Sequence, residues 1–113
     1  MSDIKALLSN GSITGSGSSS VYQRTTGDHA PLVSVSVATV TGTGPTLIPK
    51  LMHSVDGANF DLLATGSVLS ASGQKTIFGP DTTKPIGAYL RVDYDVAGTT
   101  PSFTGVEIKL QLN

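Results

Sequence analysis

The sequence contains no cysteine and no tryptophan, and of its 113 residues only 13% are charged and 5% aromatic. Each shortage closes off a kind of chemistry. Without cysteine there is no disulfide scaffold, no thiol nucleophile and none of the usual structural zinc sites, and the redox compartment stays undetermined. Seven Lys plus Arg against eight Asp plus Glu, a net charge of -1, leave no basic stripe to neutralise phosphates. Neither nucleic acid nor an anionic membrane surface is therefore an expected partner. No apolar run approaches the roughly 18 to 20 residues of a membrane span, and the opening Met1-Ser2-Asp3 lacks the basic and apolar regions of a secretory signal. The expectation is a soluble chain, made in the cytoplasm.

What replaces the charge is hydroxyl: Ser and Thr number 14 each. Charged residues make up about half of the ~25% common in globular domains. A polar surface of this kind carries little mutual repulsion and few long side chains whose freedom must be lost on contact. It suits being covered by other protein, although Ser/Thr-rich strands are also common in all-β domains. At this length one domain with a modest core is expected, and a second will not fit.

The first residues differ from the rest. Ile4, Leu7 and Leu8 stand at helical spacing behind a possible cap at Ser2, but so short a helix is unstable alone in water. Residues 9–20, SNGSITGSGSSS, include nine Ser or Gly and have the composition of a flexible tether. Residues 1–20 are thus expected as an extended N-terminal arm whose apolar residues Ile4, Leu7, Leu8 and Ile13 bind a partner, with 21–113 as the folded body. Deleting the arm would then leave that body folded. In the alternative, Ile13 and Val21-Tyr22 are early strands of the same domain.

From Pro31 onward the pattern is β. LVSVSVATV, residues 32–40, alternates valines with serines; in YLRVDYDV, residues 89–96, Leu90, Val92, Tyr94 and Val96 oppose Arg91, Asp93 and Asp95; in VEIKLQL, residues 106–112, the apolar set is Val106, Ile108, Leu110 and Leu112. Shorter strands are expected at 46–54, 60–64 and 75–78. Thirteen Gly and six Pro punctuate the gaps and disfavour long helices. Seven or eight short strands at such spacing predict an all-β, antiparallel β-sandwich of jelly-roll or Ig-like topology.

An internal echo runs through this pattern. Val40-Thr41-Gly42-Thr43-Gly44-Pro45-Thr46-Leu47 aligns with Val96-Ala97-Gly98-Thr99-Thr100-Pro101-Ser102-Phe103. The glycines can take the positive φ of a turn and the prolines hold the preceding residue extended, so the two connections are expected to share a shape, one in each half of the sandwich. The same register sets Pro49 against Gly105, which suggests a bulge or an edge at each.

No constellation points to catalysis. Asp93 and Asp95 share a strand face and project in parallel, with Arg91 beside them, as on a solvated ionic face. His29 and His53 have no zinc-ligand spacing around them, and Asp28-His29 lacks a nucleophile elbow to complete a triad. Asp56-Gly57-Ala58-Asn59-Phe60-Asp61 offers oxygens in a tight loop but not the spacing of an EF-hand, which favours an Asx-stabilised turn. No catalytic residue, metal ligand or cofactor is expected.

The segments LVSVSVATVTGTGPTLIPKLMHSVDGANFDLLATG, residues 32–66, and YLRVDYDVAGTTPSFTGVEIKL, residues 89–110, resemble a group of small structural proteins of tailed bacteriophages. A Val-rich strand, a G-T-x-P turn, an S-x-DG-x-x-F segment and a closing YLRV-x-Y-x-V-x-GT-x-P-SF hairpin recur there. The resemblance covers about residues 32–112. It implies a β-sandwich head decoration (cement) protein, located on the virion's capsid surface and bound to the major capsid protein, often as a homotrimer at local three-fold positions. The SVDGANF segment, residues 54–60, is also similar to galactose-binding-like sandwiches, which implies as an alternative a carbohydrate- or receptor-binding module of a phage tail or spike. Those modules often carry Trp where this chain has Phe60.

Overall fold

The computed structural model describes residues 3–24, 31–80 and 85–112. Ser2, Asp28 and His29 lie outside them. The described residues form eight strands and no helix: β1 (Asp3–Ile13), β2 (Gly17–Ser18), β3 (Tyr22–Gln23), β4 (Leu32–Ser36), β5 (Thr39–Ser54), β6 (Asp61–Thr65), β7 (Lys75–Phe78) and β8 (Tyr89–Leu112). Every pairing is antiparallel and all eight strands belong to one sheet.

β8 is the spine of that sheet. Along one side lie β4 and β5, in a pairing that runs from Leu32↔Gln111 to Ser54↔Tyr89. Along the other lie β1, β2 and β3, from Asp3↔Leu112 to Gln23↔Tyr89. β6 extends the sheet beyond β5, and β7 extends it beyond β4. The alternation of Val33 and Val35 with Ser34 and Ser36, and of Ile108, Leu110 and Leu112 with Lys109 and Gln111, sends the apolar set to one face; all five are at most 1% exposed.

The flanking chains force the spine to bend. Ile13 pairs with Phe103 and Gly17 with Tyr94, so the first flank advances four residues while β8 advances nine. Four residues span at most about 14 Å, whereas nine residues of straight strand need roughly 30 Å. The central ribbon must therefore fold back on itself in between. The opposite flank takes the same short cut, with Leu69 exchanging hydrogen bonds with Leu47 and Gly73 donating to Val37. The fold-back is made by four left-handed residues: Gly42 at φ 112°, Gly44 at 59°, Gly98 at 120° and Thr100 at 46°.

Bending brings the inner faces of both halves onto one core. Val33, Val35, Ile108 and Leu110 from one end pack with Leu51, Leu90 and Val92 from the other, and Leu47 and Phe103 sit at the bend. The result is a strongly curved, nearly barrel-shaped antiparallel sheet. It is one sheet because β5 and β8 run unbroken through both ends.

Three expectations are revised. The echoed segments do not sit apart in separate hairpins; they pair with each other, Val40 against Phe103 and Leu47 against Val96. Gly105, at φ 61°, is passed over in the β1 pairing between Val106 and Thr104, which is a bulge, but Pro49 stays in the ladder opposite Tyr94. Most consequentially, residues 3–13 are not a helical tip on a tether. They form β1, hydrogen-bonded along β8, and Ile13 and Tyr22 belong to early strands.

Candidate functional site

Strand geometry divides the four N-terminal residues expected to bind a partner. Leu7 is 6% and Ile13 3% exposed, both within the chain's own core, and Leu8 is half-buried against it. Fully burying such a side chain contributes about 1.5–3 kcal/mol, so Leu7 and Ile13 hold β1 down and are not presented to a neighbour. Ile4, three residues before Leu7, falls on the opposite face of a period-two strand and is 60% exposed.

Ile4 has company on that outer face. It pairs with Gln111 of β8, which pairs in turn with Leu32 of β4. One row further along, Lys109 pairs with Ser34 and Ser34 with Ile77 of β7. Leu32 is 42% and Ile77 54% exposed. Together with Lys75 these residues line a shallow groove of about 210 Å³. Leu32 and Ile77 were not singled out by the sequence, yet both carry a readable sign. Leu32 precedes Val33 by one residue and so lies out of phase with the buried valines, and in β7 the inward residue is Thr76, which leaves Ile77 outside.

Glu107 lies on the same face, one row beyond Lys109. Its carboxylate accepts from the backbone N–H of Asn10 and from the Ser9 hydroxyl at 3.4 Å, where Asn10 takes φ 49° and β1 kinks. The charge of Glu107 is thereby turned toward β1.

In the other half Asp93, Asp95 and Asp56 are satisfied locally. The Arg91 guanidinium forks onto Asp93, with Nε donating to Oδ1 at 2.6 Å and Nη2 to Oδ2 at 3.2 Å, and it lies 4.1 Å from the centre of the Phe60 ring. Lys50 pairs with Asp95. This is the ionic face expected of Asp93 and Asp95. The 56–61 loop is an Asx turn: Asp56 Oδ1 accepts from the N–H groups of Ala58 at 2.8 Å and Asn59 at 2.9 Å, and from the Ser54 hydroxyl at 2.8 Å. These donors, Asn59 N–H foremost, hold the Asp56 carboxyl well below the usual carboxylate range.

His53 serves the fold. Its Nδ1 accepts from Gly87 N–H at 3.0 Å, and Arg24 Nη1 donates to the carbonyls of Ile86 and Gly87 at 2.9 and 3.2 Å, so the entry to β8 is clasped between β3 and β5. Among the described residues no group of three or more His, Cys, Asp or Glu is placed to hold a metal ion. Nor, among those residues, is any helix long and apolar enough to cross a membrane. In comparisons with known protein families and with curated proteins, the sequence matches none.

Proposed function

We propose that this chain is a non-enzymatic structural protein that decorates the outside of a bacteriophage head, binding the major capsid protein and tying its subunits together. The bent sheet takes the part of the β-sandwich body of such proteins, and the outer face of β1, β8, β4 and β7 is the contact surface. The observation that carries the reading is the exposure of Ile4, Leu32 and Ile77 around one groove on that face. Aliphatic groups gathered on one surface gain free energy only when something covers them. The chain as a whole is low in charge and rich in hydroxyls, so beyond Lys75 and Lys109 few long charged side chains lose freedom when a face is covered. Binding as a homotrimer would let several weak contacts act at one effective concentration.

A glycan-binding role draws less support, because the Phe60 ring that would serve as a platform already carries the Arg91 guanidinium. Mixing the purified chain with undecorated shells tests the proposal. Stoichiometric binding with a raised shell melting temperature is expected; free chain and an unchanged shell transition would refute it.

A further inference from the structure

The groove on the outer face has a shape and a charge that specify more than a hydrophobic contact. Its apolar floor is made by three side chains on three strands, Ile4, Leu32 and Ile77, and its charged lining consists of Lys75 and Lys109. Among the described residues the carboxylate on this face is that of Glu107, which accepts from the Asn10 N–H and the Ser9 hydroxyl at the kink of β1. A segment lying in the groove would therefore meet Lys109 on the central strand β8, aliphatic side chains to both sides of it, and Lys75 on β7.

We infer that the groove binds an extended protein segment whose groove-facing residues, at every second position, include both aliphatic side chains and Asp or Glu. At about 210 Å³ it has room for a few side chains. An extended strand turns every second residue to the same face, so an aliphatic residue and a carboxylate two positions apart both meet the groove, the first against Ile4, Leu32 and Ile77 and the second toward Lys75 and Lys109. Basic segments are repelled from the same place by like charge. Exposed ion pairs of this sort add little each and steer more than they hold, so a single groove binds weakly and repetition on a multi-subunit partner supplies the affinity. The inference rests on the docking role proposed above, and supplies its partner chemistry: the acidic, aliphatic segment belongs to the shell protein.

The test uses the full chain and two short synthetic peptides, one repeating Leu-Thr-Glu-Thr and one repeating Leu-Thr-Lys-Thr, so that leucine and charge share one face of the extended peptide. Titration followed by NMR is expected to move the resonances of Ile4, Leu32 and Ile77 with the Glu peptide and not with the Lys peptide. The double variant Lys75→Glu, Lys109→Glu should weaken the Glu peptide roughly tenfold, as expected when two exposed attractive pairs become repulsive. Since both lysines are surface residues, an unchanged circular dichroism spectrum will show that the variant is folded. Equal binding of both peptides, or an affinity unmoved by the double variant, overturns the inference. The same variant is also mixed with undecorated shells. If the unaltered chain takes up the Glu peptide but leaves shells bare, the docking role fails and the groove chemistry stands; if it coats shells and the double variant coats them equally well, the groove chemistry fails and the docking role stands.

Discussion

Gly42 and Gly98 occupy equivalent positions in the two echoed segments, and each is pressed against the other segment's turn. A Cβ on Gly42 would lie 2.7 Å from the Thr100 carbonyl oxygen and 3.0 Å from the Pro101 Cα; a Cβ on Gly98 would lie 2.9 Å from the Gly44 carbonyl oxygen and 2.9 Å from the Pro45 Cα. Their φ angles, 112° and 120°, are nearly equal. The echo in the sequence is thus a local two-fold axis in space, passing between Thr43–Gly44 and Thr99–Thr100 where the β5–β8 ribbon turns over. The bend on which the shared core depends is built from this pair.

Gly42→Ala and Gly98→Ala should each lower stability by about 1–3 kcal/mol, because an L-residue is strained at that φ and the new methyl meets backbone that cannot move aside. Chemical denaturation of the two variants checks this. The symmetry adds a sharper expectation, that the two losses are similar.

Thr100 breaks the symmetry, since it sits at φ 46° where its counterpart Gly44 sits at 59°. A β-branched residue is unfavourable in the left-handed region. Thr100→Gly should raise stability by roughly 0.5–1 kcal/mol, the relief of strain outweighing the added freedom of the unfolded chain. Gly44→Thr should lower it. Equal midpoints for wild type and Thr100→Gly would show that the turn is not strained.

Leu7→Ala or Ile13→Ala should cost about 2–5 kcal/mol, as expected for truncating buried aliphatic residues. Ile4→Ala, on the outer face of the same strand, should change stability by no more than about 0.5 kcal/mol. Thermal or urea unfolding separates the cases. Three equally silent substitutions would mean that the N-terminal residues are not part of the sheet.

The Asp56 carboxyl is held below its ordinary range in the folded chain, so as pH falls past about 3.9 the unfolded state takes up a proton before the native state does. The stabilising contribution of this group is present above that pH and is lost progressively below it. Asp56→Asn should therefore show a shallower loss of melting temperature on acidification than the wild type. Parallel melting curves for the two below pH 4 would contradict the assignment.

Much of the sheet could be read in advance. The alternation through residues 89–96 and 106–112 gave the inward sets of β8 correctly, with Leu90, Val92, Ile108 and Leu110 all buried. The continuity between them was hidden, because Gly98, Thr99, Thr100 and Pro101 have the composition of a turn. Here the turn happens inside the ladder, with both ribbon strands bending together. The N-terminus misled for a different reason. Ile4, Leu7 and Leu8 have helical spacing, but Leu7 and Ile13 share a face of the strand, and register shifts between Ala6 and Leu8 and between Leu8 and Gly11 let Leu8 pack against the same core. Leu69 escaped notice because it enters the core through a single bridge to Leu47, without a strand pattern around it. The contact face was visible only in part: Ile4 could be named, whereas its grouping with Leu32 and Ile77 depends on which strands are neighbours, and periodicity within one strand does not contain that.

The central claim is that the outer face of β1, β8, β4 and β7 binds shell protein. Sedimentation of undecorated shells with the wild-type chain and with the double variant Leu32→Thr, Ile77→Thr measures it most directly, because both residues are exposed and their replacement should leave the unfolding midpoint within about 0.5 kcal/mol of wild type. The wild type should travel with the shells at a fixed ratio and the double variant should remain in the supernatant. Co-sedimentation of the two at the same ratio, or of neither, would contradict the claim.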